Sequence, residues 1–132
     1  MCSLVTLPDV IKIYIKSYVI FTPKTNKELQ DAVNEWCNNK KVAYKLYGHI
    51  SLWNTKNVTN MNRLFLLKHN FNSVISSWDV SNVTNMHSMF KYAITFNQSL
   101  NKWNVSKVTI MNSMFKGAEK FNQPLNNWDV SS

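Results

Sequence analysis

At 132 residues, 45% of them hydrophobic, the chain has the length of one domain and enough apolar material for a core without metal or disulfide staples, which excludes wholesale disorder. Its two cysteines, Cys2 and Cys37, are too few for a disulfide framework and fit a reducing compartment. The formal net charge of +8 invites polyanion binding, but eight of the fifteen basic residues are spread through the segment ending at Lys56 and the rest are scattered singly, which argues against a nucleic-acid partner.

The opening stretch, MCSLVTLPDVIKIYIKSYVIF, has the apolar residues of a signal sequence but breaks them with Asp9, Lys12 and Lys16 and offers no small-residue cleavage site. No secretion signal is read, and a cytoplasmic or virion-associated location is expected. No window approaches the run of about 18 apolar residues that a membrane span needs. Ile11, Ile13 and Ile15 alternate with Lys12, Tyr14 and Lys16, a period of two on β-branched residues that predicts a strand with an unpaired edge. In TNKELQDAVNEWC, Thr25 and Glu28 form a capping box, and Leu29, Ala32 or Val33, Trp36 and Cys37 share one face, predicting a helix over 26–38. A shorter helical piece over 42–47 is expected to stop at Gly48. Residues 1–50 thus read as an N-terminal strand and helical cap, and 51–132 as about three coils.

Those coils are announced by Trp53, Trp78, Trp103 and Trp128, each 25 residues from the next. In step with them run Val58, Val83 and Val108; Met61, Met86 and Met111; Phe65, Phe90 and Phe115; Phe71, Phe96 and Phe121; Asn72, Asn97 and Asn122. A fixed period of this size marks stacked supersecondary units, none able to bury its apolar side alone. Leu100, Trp103 and Val105 give the spacing L-x-x-W-x-V, which predicts a short strand. Val108, Met111, Met114, Phe115 and Ala118 follow at helical spacing, which predicts a helix capped by Ser106, and the unit from Trp78 to Ala93 reads the same way with Ser81 as cap. The expected fold is an α/β repeat solenoid with indole stacked on indole. Asn72, Asn97 and Asn122 are expected either as a column that satisfies loop backbone or as solvent-facing turn residues. The sequence closes on LNNWDVSS, where Leu125, Trp128 and Val130 begin a fourth strand that nothing caps. Either a longer protein has been shortened, or that open side rests on a partner.

The stretch FNQSLNKWNVSKVTIMNSMFKGAEKFNQPLNNWDVS resembles the BspA-type leucine-rich repeat family, whose units read F-N-Q-x-L-x-x-W-D-V-S-N-V-T-N-M-x-x-M-F, over roughly Trp53 to Ser132. The segment from Phe21 to Thr55 looks like the helical lead-in of some members. The resemblance implies a leucine-rich-repeat solenoid, as found in surface proteins of bacteria and parasites that adhere to hosts and as encoded by large DNA viruses, and no common enzyme activity. The first unit departs from the pattern at Thr55, Leu64, Lys68 and Ser73, so distortion is expected there.

No catalytic or metal-binding constellation accompanies the repeat. His49, His69 and His87 are far apart in sequence, and no C-x-x-C or H-E-x-x-H occurs. Asp79 and Asp129 share a repeat column with Asn104, a substitution a catalytic acid would not tolerate. With only Gly48 and Gly117, no phosphate-cradling glycine loop is possible. Met86, Met89, Met111 and Met114 are expected in the core. No enzyme activity, cofactor or metal is therefore expected. The expected function is protein–protein interaction, with Asn54, Ser77, Asp79, Lys102, Asn104, Asn127 and Asp129 as the contact row on the strand face, unless that row is merely solvated. The rival is a structural component of a viral particle or other assembly, self-associating through its edge strand and open C-terminal coil.

Overall fold

The computed structural model describes residues 19–131. The strand expected over 11–16 lies outside them. The helix expected over 26–38 is present as α1, Asn26–Asn38. The Thr25 side chain accepts the Glu28 N–H at 3.1 Å, while the Glu28 carboxylate accepts the N–H of Lys24, at 2.8 Å, instead of that of Thr25. Leu29, Ala32, Val33 and Trp36 form its buried face, and Cys37 is half-buried at the margin. Helix α2, Lys40–Tyr47, begins two residues earlier than expected because the Asn39 side chain caps it, accepting from the Val42 N–H at 3.3 Å. It stops at Gly48, whose φ of 73° a side chain would strain. A 3-10 turn, Ile50–Leu52, leads into Trp53.

The 25-residue units that follow contain neither strand nor helix. The expected α/β solenoid of leucine-rich-repeat-like, strand-plus-helix coils is corrected on this point: among the described residues the α-helices are α1 and α2, and β pairing is confined to isolated parallel bridges, Asn60 with Asn85 and Asn85 with Ile110. The apolar spacing has a different cause. The N–H of Trp103 donates to the carbonyl of Leu100, Val108 to Val105, Met114 to Met111, Ala118 to Phe115 and Phe121 to Ala118. Apolar residues recur at i and i+3 because they open and close consecutive tight turns.

A helix is also excluded by how the units are joined. The N–H groups of Met86, Ser88, Phe90 and Tyr92 donate to the carbonyls of Ile110, Asn112, Met114 and Lys116 at 2.8–3.0 Å, and those of Met61, Arg63, Phe65 and Leu67 reach Asn85, His87, Met89 and Lys91 in the same register. Such bonds hold neighbouring backbones at about 4.7–4.9 Å, whereas packed helices need about 8–10 Å and close their N–H groups internally. Alternate N–H groups are aimed outward by left-handed residues, Arg63 and Leu67, Ser88 and Tyr92, then Ser113 and Gly117, with φ between 53° and 72°. The first unit is not distorted. It repeats the same turns, and Thr55 sits fully buried in the valine column, its hydroxyl donated to Asp79 O at 2.8 Å.

Inside the stack like side chains meet like. Phe65, Phe90 and Phe115 stack with ring centroids 5.2 and 5.6 Å apart, Phe71, Phe96 and Phe121 at 5.6 and 5.9 Å, and the two files touch within each unit at 4.1–4.3 Å. Trp53 lies on Trp78 at 6.2 Å and Trp103 on Trp128 at 6.5 Å. The indole N–H groups of Trp78, Trp103 and Trp128 each donate to a carbonyl 28 residues upstream, those of Ile50, Ile75 and Leu100. Each tryptophan therefore both packs and cross-links, with no buried N–H left unpaired. The asparagine column also forms: Asn72 Oδ1 accepts the Asn97 N–H at 2.9 Å and Asn97 Oδ1 the Asn122 N–H at 3.0 Å, at the surface rather than in the core.

The helical pair closes the upstream end of the stack. The rings of Phe21, Trp36 and Tyr47 meet Trp53 edge-on at 5.3, 6.1 and 5.8 Å. Two side-chain amides replace the backbone of an absent unit. Asn26 Oδ1 accepts the Asn60 N–H at 3.2 Å, as Thr84 O accepts the equivalent N–H of Ile110. Gln30 Nε2 donates to Leu64 O at 3.0 Å, as the Phe65 N–H donates to the equivalent Met89 O.

Candidate functional site

Among the described residues the downstream end of the stack has no such closure. Phe90, Phe96 and Leu100 are fully buried, while their equivalents one unit on, Phe115, Phe121 and Leu125, are only partly covered. Val130 is 64% exposed against 1% for Val105. The N–H groups of Met111, Ser113, Phe115 and Gly117, equivalent to the Met86 series, have no acceptor among the described residues. The carbonyl of Leu125, equivalent to the Leu100 oxygen that takes an indole N–H, likewise accepts no indole. This end is a flat aromatic platform beside a row of backbone donors, both continuous with the interior. Sequence reasoning flagged Leu125, Trp128 and Val130 as uncapped but missed the donor row, because backbone N–H groups carry no residue signature.

The expected contact row is held in the turns. Asn54, Asp79, Asn104 and Asp129 form one file, and each uses Oδ1 to accept the N–H two residues on, at 2.9–3.1 Å. The Ser81 hydroxyl, at 2.5 Å, and then its N–H hold the Asp79 carboxyl below the usual carboxylate range, and Ser131 does the same for Asp129. Ser77 donates to Ser51 O at 2.6 Å, the Asn127 N–H donates to Asn101 Oδ1 at 3.0 Å, and Lys102 is exposed. These residues lie together along the stack, and in four of them one oxygen is committed to a local turn bond.

Two clefts flank α1. One of about 490 Å³ is lined by Trp36, Cys37, Lys40, Lys68, His69 and Phe71. Burial pushes the Cys37 thiol up, against the opposing pull of Lys68 and Lys40, so it stays a thiol and a poor nucleophile at neutral pH. The other, about 410 Å³, lies among Asn26, Gln30, Asp31 and Asn60 and contains Asn62, whose buried Oδ1 has no partner among the described residues. Among the described residues, no three of histidine, cysteine, aspartate and glutamate converge as a metal cluster requires, and no helix is long and apolar enough to cross a membrane.

Fold and site together define a turn-built repeat stack, capped upstream by the helical pair and uncovered downstream among the described residues. Residues 27–132 match the family described as Mycoplasma protein of unknown function, DUF285, and the chain belongs to that family. This corrects the BspA-type leucine-rich-repeat assignment that the repeat motif suggests. No curated protein and no solved structure matches the chain.

Proposed function

We propose that the chain is a non-enzymatic protein-interaction module whose contact surface is the open downstream end of the stack. The observation carrying this reading is the pairing, on one face, of half-covered aromatics with backbone donors that find no acceptor among the described residues. Apolar surface continuous with a core and rimmed by unsatisfied polar groups marks an interface more often than a solvated face. A photo-crosslinking residue at Asp129, compared with one at Lys45 on α2, tests it in extract of the native source. Adducts confined to the Asp129 position are expected; adducts equally abundant at both positions, or absent from both, overturn the reading. The same open end also favours a second reading, a component of a larger assembly, and light scattering separates the two. A stable monomer supports the module, and concentration-dependent association removed by Trp128→Ala supports the assembly.

A further inference from the structure

We infer that the larger cleft beside α1 binds a soluble phosphomonoester through Lys40 and Lys68, a function separate from the interaction reading above. Every residue that lines the cleft falls between 36 and 73, so the site is built by α1, the start of α2 and the first unit. Its volume of about 490 Å³ lies within the range of roughly 300–1,000 Å³ usual for small-ligand sites. The fold brings together basic residues that are scattered along the sequence. Lys40 opens α2, and Lys68 closes a tight turn of the first unit with its N–H on Phe65 O. Burial raises the Cys37 thiol while Lys68 and Lys40 both pull it the other way, so the two ammonium groups act on one and the same side chain of the cleft. Lys40 Nζ lies 5.4 Å from the centroid of the Trp36 ring, a contact that holds it against the cleft wall.

The neutral groups of the cleft are made into donors by the bonds they already form. Asn72 Oδ1 accepts the Asn97 N–H at 2.9 Å and Gln98 Nε2 at 3.1 Å, which leaves the Nδ2 hydrogens as what this amide has to offer. Ser73 Oγ accepts the Trp36 indole N–H at 3.1 Å, which leaves its hydroxyl proton to donate. His69 adds a ring N–H, and among the described residues no carboxylate lines the cleft. Two ammonium groups beside several neutral donors match an anion rich in acceptor oxygens. A phosphomonoester brings a charge of about −1.5 to −2 and three strong acceptor oxygens, whereas a carboxylate has a single charge and would leave donors unmatched. A phosphoryl group alone does not fill the cleft, so the organic part of the ester has room beside it.

The test is a titration of the isotope-labelled full chain with glycerol 1-phosphate at constant ionic strength, followed by amide and indole chemical shifts. Saturating shifts are expected at the Asn72 side-chain amide, the Trp36 indole N–H and the backbone amides of Lys68, His69 and Ser73, and none at the indoles of Trp103 and Trp128. Lys68→Gln should weaken the apparent affinity roughly tenfold, the loss of one charge-assisted hydrogen bond. Lys102→Gln removes the same charge from an exposed position of the stack and should change the affinity less than about twofold. Should Lys68→Gln perturb folding, Lys40→Gln, at an exposed position, is expected to give the same tenfold loss. Equal losses in the Lys68 and Lys102 variants would reduce the effect to diffuse attraction by a net charge of +8 and overturn the inference. Shifts that do not saturate, or acetate binding as well as the phosphate ester, overturn it too. So does retention on vesicles carrying phosphatidic acid without any response to glycerol 1-phosphate, since the ligand would then be a lipid headgroup.

Discussion

The two ends of the stack face the same physical problem and meet it differently. Every interior unit is bonded on both sides, so an end unit exposes one row of backbone groups and one layer of rings. Upstream, side chains imitate the absent neighbour: Asn26 supplies a carbonyl-like acceptor, Gln30 an amide donor, and Trp36 with Phe21 and Tyr47 an aromatic wall. Downstream, the donors from Met111 to Gly117 and the rings of Phe115, Phe121 and Trp128 are left as the repeat made them. The lesson is that a repeat end can be closed by side chains that imitate the backbone groups and rings of a neighbouring unit.

The largest expected effect separates the middle of the stack from its open end. Phe90 is fully buried between Phe65 and Phe115, so Phe90→Ala should destabilise by about 3–5 kcal/mol in denaturant unfolding. Phe115→Ala, stacked on one side only, should cost roughly half as much. Equal losses would mean that the third unit is covered in solution. Next come the glycines. Both take positive φ, but a Cβ at Gly48 meets nothing within 4 Å whereas one at Gly117 would run into the Tyr92 ring at Cδ1. Gly48→Ala should cost about 1–2 kcal/mol from backbone strain alone, and Gly117→Ala more, because the Tyr92 ring must also leave its place. Gln30→Ala tests the seal: it leaves Leu64 O without its donor and should cost about 1–2 kcal/mol, an effect that vanishes if the cap acts through its rings alone.

The helices were legible because their signals are local. Thr25, Glu28 and Gly48 fix ends through capping and backbone freedom wherever they occur, and the face of Leu29, Ala32, Val33 and Trp36 is unambiguous over 13 residues. The period and the stacking of like on like were legible too, since only a repeat in register places Phe90 on Phe65. The path of the chain within a unit was not. Apolar residues at i, i+3 and i+7 fit a helix and a succession of i to i+3 turns equally well, and the choice is made by where alternate N–H groups go, which side-chain spacing does not encode. Arg63, Leu67, Ser88, Tyr92 and Ser113 take left-handed backbone without being glycine, so the residues that break the helix look like ordinary helix formers. The spacing within the expected contact row has a related cause: Asn54, Asp79, Asn104 and Asp129 recur because a turn needs an acceptor at that point.

The smallest effect concerns pH at the sealed end. His49 packs edge-on against Trp36 at 5.0 Å, and its Nδ1 accepts the Ser51 N–H at 3.1 Å, a bond that a proton on Nδ1 would abolish. Partial burial, with repulsion from Lys40, holds its pKa below the ordinary histidine value of 6.5. Above that value both folded and unfolded chains carry a neutral imidazole and the full stability is present. As pH falls below it the unfolded chain takes up a proton that the folded one resists, so stability declines until pH reaches the depressed folded pKa and then levels off. Unfolding measured between pH 8 and pH 5 should show this decline in the parent chain and less of it in His49→Gln, whose side-chain oxygen can still accept a hydrogen bond. A parent chain whose stability is flat or rising over that range would mean that the imidazole is free of Trp36 and Ser51, and that the seal is looser at the α2 end than at α1.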